Sequence, residues 1–197
     1  MNYWRGGPSA AEYGAMLKGV SRALKGASPA VRVVAAGLAW PAVGVPADTY
    51  LSNLLRVPGV VEAIDVVAIH PYTRYVSKAG QEDVMDRVYE TRQIMKARGA
   101  KDRRMWMTEI GWATGVPDGR FTVSEAEQRR NLDDLYRSLL SVRKSARLIG
   151  AAWFSFQDER VAPGHRDYWG FHNGLFRRDG SAKPAWRTLK LRALNGY

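Results

Sequence analysis

Between residues 10 and 25 apolar side chains recur at helical spacing: Tyr13, Met16, Leu17, Val20 and Leu24 share one face. Ser28-Pro29 then interrupts that period ahead of the apolar run Val31-Arg32-Val33-Val34-Ala35. The pattern predicts a helix followed by a short buried strand. It repeats along the chain. A helix near 47 to 56 precedes a strand from Asp65 to His70, and a helix over about 81 to 98 precedes a strand from Arg104 to Glu109. A third long helix opens with Ser124-Glu125-Ala126-Glu127, a reciprocal capping pattern, and places Leu132, Leu135, Tyr136, Leu139 and Leu140 on its inner side. Ile149 to Phe156 predicts another strand, and Pro184 marks the first position of a terminal helix carrying Trp186 and Leu189.

Strands that read as near-continuous apolar runs and alternate with helices indicate an α/β fold with a parallel sheet covered on both faces. Four such strands are half of what a (β/α)8 barrel requires, and a whole barrel takes about 250 residues. The expected fold is therefore a partial TIM (β/α)8 barrel, organised as a single domain over residues 1–197. No Gly-rich phosphate loop follows the first strand, which speaks against dinucleotide binding.

Composition narrows the chemistry. With no cysteine, disulfides, thiolate catalysis and cysteine-ligated zinc are excluded, and His70, His165 and His172 show no metal-ligand spacing, so neither metal nor cofactor is expected. The net charge of +11 raises nucleic acid as a partner. However, Arg103-Arg104, Arg129-Arg130 and Arg177-Arg178 lie in separate segments with no aromatic interleaving, and read as solvated surface. No apolar run approaches the roughly 20 residues of a membrane span. Neither nucleic acid nor membrane is an expected partner, and localisation stays open.

Reactive groups in parallel α/β folds gather at the C-terminal ends of strands. Three predicted strands end in polar or aromatic residues: His70-Pro71-Tyr72, Glu109-Ile110-Gly111-Trp112 and, after Trp153, Gln157-Asp158. Alternation puts Glu109 on the face of Met105 and Met107, where a carboxylate should be nearly buried. It is the candidate catalytic group, and from position alone an ion pair that closes the strand end is the alternative. Tyr72, Trp112 and Trp153 offer ring faces to a sugar, and His70 a hydrogen bond to a sugar hydroxyl or to the carboxylate. Asp158 and Glu159 form a second acidic pair, expected to be solvated or bound to Arg160 and Arg166.

These strand ends resemble clan A glycoside hydrolases, retaining enzymes on a (β/α)8 barrel, over nearly the whole chain. Asp65 to Tyr72 resembles the sixth strand, Trp106-Met107-Thr108-Glu109-Ile110-Gly111-Trp112 the seventh, and Trp153-Phe154-Ser155-Phe156 the eighth. Gly174-Leu175-Phe176 and Asp179 to Ala185 resemble the closing segment before the last helix. The resemblance implies a hydrolase acting on O-glycosyl bonds of a carbohydrate, with Glu109 as nucleophile, His70 and Tyr72 beside it, and Trp153 flooring the sugar subsite. It also implies a general acid/base glutamate in an Asn-Glu-Pro motif just before a segment like Asn2-Tyr3-Trp4-Arg5-Gly6-Gly7-Pro8, so that strands one to four and the proton donor would lie upstream of Met1. On that expectation the chain alone is poorly active and self-associates through open strand edges at 31 to 36 and 149 to 156. The competing readings are a non-catalytic carbohydrate-binding or scaffold protein, which would keep the aromatic platforms without turnover, and a basic nucleic-acid-binding domain, which would explain the charge alone.

Overall fold

A computed structural model describes residues 7–40, 44–73, 78–115 and 122–194. The fold is α/β, with parallel strands alternating with helices as in part of a (β/α)8 barrel. Helices α1 (Ala10–Ala27), α2 (Ala47–Arg56), α3 (Val60–Ala63), α4 (Lys78–Ala97), α5 (Glu125–Ala146) and α6 (Pro184–Leu194) are interleaved with β1 (Leu38–Ala39), β2 (Val66–His70), β3 (Arg104–Ile110), the short β4 (Ala113–Thr114) and β5 (Thr122–Val123), and β6 (Leu148–Trp153). The main sheet runs in the order β1-β2-β3-β6. The β1–β2 and β2–β3 pairs are parallel, with Val66 opposite Arg104 and Ile69 opposite Met107.

The chain packs as two compact units. The first comprises Met1–Pro71, Arg87–Thr108 and Ser145–Gly150. Its α1 is capped by Ser9, whose hydroxyl accepts the Glu12 amide at 3.2 Å. The buried face of α1 differs from the expected one. Gly14, Leu17 and Ser21 are buried, whereas Met16, Val20 and Leu24 are 43–48 % exposed. The physical reason is close helix packing: a Cβ on Gly14 would lie 3.0 Å from Val60 and 3.1 Å from Val57, and the Ser21 hydroxyl reaches the Ala63 carbonyl at 2.6 Å. Small residues, rather than the larger apolar stripe beside them, set the contact.

The strand expected over 31 to 35 is reduced to a single parallel bridge, Val34 to Val66. Val33 turns its N–H onto the Asp65 carboxylate at 2.8 Å instead of into a ladder. The regular strand comes later, as β1, and the short helix α3 had no signal of its own.

The second unit comprises Tyr72–Asp86, Glu109–Lys144 and Ala151–Tyr197. Its α5 carries the expected cap, with the Ser124 amide donating to Glu127 at 2.8 Å and the Glu127 amide donating to the Ser124 hydroxyl at 3.2 Å. Leu132, Leu135 and Leu139 are buried along its inner side. Trp153, Tyr136, Phe176, Trp186 and Leu189 pack on a cluster of Leu132, Leu175 and Ala185. The sixth strand stops at Trp153, short of the expected Phe156. The following backbone pairs with 173–176 instead, Ser155 N–H donating to Asn173 O and Leu175 and Phe176 N–H to Phe156 O. No helix among the described residues is long and apolar enough to cross a membrane.

Candidate active site

In the first unit β2 ends at His70, whose Nε2 lies 2.9 Å from the Thr108 hydroxyl near the end of β3. The ring is also walled by backbone. A Cβ on Gly37 would lie 2.0 Å from His70 Nε2, so only glycine leaves room for the imidazole there. His70 is half-buried and held by its neighbours in one orientation.

In the second unit the hydroxyl of Tyr72 donates to Oε2 of Glu109 at 3.0 Å. Burial first, and then the charge and hydrogen bond of Glu109, raise the Tyr72 phenol well above its ordinary range. It is therefore a permanent donor to the carboxylate rather than a competing acid. The Tyr72 ring is fixed in turn. It stacks at a tilt on Trp169, centroids 5.1 Å apart, and meets the edge of Phe154 at 6.3 Å.

Glu109 is half-buried, more accessible than alternation along β3 implied, although Met105 and Met107 on the same face are 0 % exposed. Close backbone approach defines the floor beyond it. A Cβ on Gly111 would stand 2.1 Å from the Phe154 carbonyl oxygen, and Phe154 N–H donates to Ile110 O at 2.9 Å.

Trp153 and Trp112 adjoin each other, centroids 6.0 Å apart and tilted by 38°. Trp153 is partly exposed, with its indole N–H fixed on the Asn173 carbonyl at 2.9 Å. Trp112 is only 2 % exposed, so it backs Trp153 rather than offering a face of its own. Its carbonyl accepts Gln128 Nε2 at 2.8 Å. Of the aromatic platforms read from sequence, Tyr72 and Trp153 retain accessible ring surface.

In the second acidic pair Glu159 is exposed, in line with a solvated side chain, and Asp158 departs from expectation. Asp158 is bound to Lys183, Nζ to oxygen 2.8 Å, and accepts the Gly174 amide at 2.8 Å; neither Arg160 nor Arg166 is its partner. Lys183 is 1 % exposed and also donates to the Thr114 hydroxyl at 2.7 Å. Burial pulls its ammonium below the usual lysine range, against the opposing pull of Asp158. Thr114, Glu125, Asp158, His172 and Arg177 are among the walls of a polar cleft of about 510 Å³ in this unit. Glu109 and Tyr72 do not line it, so the cleft's size does not make it the reactive centre.

Sequence reasoning missed Thr108, Trp169, Asn173, Gln128 and Lys183. Thr108 had a signal, since it precedes Glu109 in the same strand end. The others come from loops and helices whose return to the strand ends no local pattern records. The segment Asn2 to Gly6 lies outside the described residues. No group of three or more His, Asp or Glu among the described residues is arranged to hold a metal ion.

No family model matches the chain, and no curated protein does. Solved structures of glycoside hydrolases share its fold. One is the glycoside hydrolase family 17 β-1,3-glucanosyltransferase from Rhizomucor miehei, with TM-score 0.57, 16% identity, and 92% of this chain and 58% of that one covered. A second is a glucosidase from Croceicoccus marinus, with TM-score 0.65, 19% identity and coverage of 93% and 36%. A third is a monomeric β-xylosidase from Caulobacter crescentus, with TM-score 0.62, 18% identity and coverage of 95% and 38%. The chain thus spans between about a third and three-fifths of the length of these proteins. Over that part of their length it shares the fold of these three glycoside hydrolases.

Proposed function

We propose that this chain carries the nucleophile half of a retaining glycosidase, with Glu109 attacking the anomeric carbon of a carbohydrate substrate. The observation that carries the reading is the Tyr72–Glu109 hydrogen bond at a strand end, within a fold shared with glycoside hydrolases. A nucleophilic carboxylate must stay ionised and aimed, and a phenol that does not itself ionise serves both needs. In the proposed reaction Glu109 forms a bond to the anomeric carbon as the glycosidic C–O bond breaks, giving a glycosyl-enzyme ester. A second carboxyl group about 5–5.5 Å away protonates the leaving oxygen and then takes a proton from the water that hydrolyses the ester. Tyr72 and Trp153 supply stacking surface for the sugar.

The test is hydrolysis of a panel of dinitrophenyl glycosides, whose leaving group departs without protonation, so that the outcome depends on Glu109 rather than on the proton donor. Turnover that is lost in Glu109→Ala and restored by azide, with the inverted glycosyl azide as product, supports the reading. Sugar binding with no turnover across the panel would replace it with a carbohydrate-binding protein.

A further inference from the structure

Beyond the proposed glycosidase site, and independent of it, we infer that the turn between α4 and β3, together with Arg147, forms a binding site for a polyvalent oxyanion of the phosphate or sulfate class. The turn at residues 100–104 presents three consecutive carbonyls to two guanidinium groups. Arg92 donates to Lys101 O and to Arg103 O, the latter at 3.4 Å, and Arg147 donates to Asp102 O at 3.0 Å. Two cations are thereby held side by side on one short loop of the first unit. Lys101 and Arg104 are exposed at the same turn, and Arg103 is partly so.

None of Arg92, Lys101, Arg103, Arg104 and Arg147 has a carboxylate within ion-pairing distance among the described residues. Asp102 contributes one negative charge to the neighbourhood, against five positive. Like charges fixed this closely repel, and the carbonyl dipoles offset only part of that. Arg92 shows the strain of the arrangement. It is 7 % exposed, its Nε is buried without a partner, and burial and the Arg147 charge both lower its affinity for its proton. The donors of Arg92 are spent on the turn, so a bound oxyanion would relieve this repulsion through the exposed Arg147 guanidinium and the exposed Lys101 and Arg104 cations.

The backbone gives a separate reason. Arg147 has φ of +53°, and it is the non-glycine residue of positive φ among the described residues. Asn or Gly would adopt that conformation at lower cost. Arg147 directly follows α5, where a left-handed residue commonly ends a helix, and that turn aims its exposed guanidinium back onto the loop at Asp102 O.

Arg147→Gly removes the charge while easing the backbone, so it separates binding from folding. Without added anion its melting temperature is expected to equal or exceed that of the original chain. Calorimetric titration with inorganic pyrophosphate, at ionic strength held constant with sodium chloride, is expected to give saturable binding that weakens about tenfold or more in Arg147→Gly and in Lys101→Gln. A parallel titration with long-chain polyphosphate identifies the source. Polymer binding with a steep salt dependence and no saturable pyrophosphate binding points to a phosphate polymer, and saturable pyrophosphate binding points to a free anion. Absence of binding to either probe, or binding unchanged in both variants, overturns the proposal and leaves the functional reading of Glu109 untouched.

Discussion

The Tyr72 hydroxyl and Oε2 of Glu109 lie 3.0 Å apart, joining the residue that follows β2 by two positions to the penultimate residue of β3. The phenol faces the carboxylate with its ring already braced by Trp169 and Phe154. A hydrogen bond to a charged group contributes about 1.5–3 kcal/mol. Tyr72→Phe keeps the ring packing and removes that bond. Its expected effect is a roughly 10- to 100-fold slower reaction at Glu109 with activated glycosides, at unchanged circular dichroism. An unchanged rate would show that Tyr72 does not orient the carboxylate.

Gly111 leaves no space for a side chain. A methyl group there would meet the Phe154 carbonyl at 2.1 Å, and that carbonyl belongs to backbone that cannot swing away. Gly111→Ala should lower stability by about 1–3 kcal/mol or more in denaturant unfolding. A variant as stable as the original chain would mean that the Phe154 backbone yields to the added methyl group.

Lys183 and Asp158 are a buried pair whose members depend on each other. Lys183→Met leaves the Asp158 carboxylate without its cation and should cost about 3–5 kcal/mol, whereas Lys183→Met with Asp158→Leu should recover a large part of that loss. Additive losses in the double variant would contradict the coupling.

Asp65 provides a pH dependence of known sign. Burial alone would raise its pKa, but the Val33 amide and the Lys25 ammonium outweigh burial and hold it below the ordinary 3.8. A carboxyl group whose folded pKa is depressed contributes stability above its unfolded pKa, and that contribution disappears as pH falls through the folded value. Asp65→Asn is expected to be less stable by about 1–3 kcal/mol at pH 7 in urea unfolding, with the gap closing below pH 3.8. A gap that persists in acid would assign the loss to packing.

Elements whose identity rests on periodicity were legible in the sequence. The capping box and Leu132–Leu135–Leu139 stripe fixed α5, and the apolar runs ending in His70 and Glu109 fixed β2 and β3. Legibility failed where one group overrides a pattern. The Asp65 carboxylate captures the Val33 amide and interrupts the first strand, while Gly14 and Ser21 draw α1 onto α3 and leave Met16, Val20 and Leu24 outside. The candidate site was legible at its strand-end residues, because a strand end places a residue whatever the rest of the chain does. Trp169, Asn173 and Lys183 reach the same region through long-range returns, and Asp158 found its cation 25 residues away rather than in the adjacent arginines. Local spacing carries no record of such pairings.

Covalent trapping tests directly whether Glu109 attacks the anomeric carbon. Dinitrophenyl glycosides fluorinated at the carbon next to the anomeric centre react with a nucleophile but hydrolyse slowly afterwards. Incubation of the chain with a panel of them, followed by peptide mass mapping, is predicted to place one glycosyl adduct on Glu109, absent in Glu109→Gln. An adduct on another carboxylate, or none across the panel under conditions where the same sugars bind, would contradict the assignment.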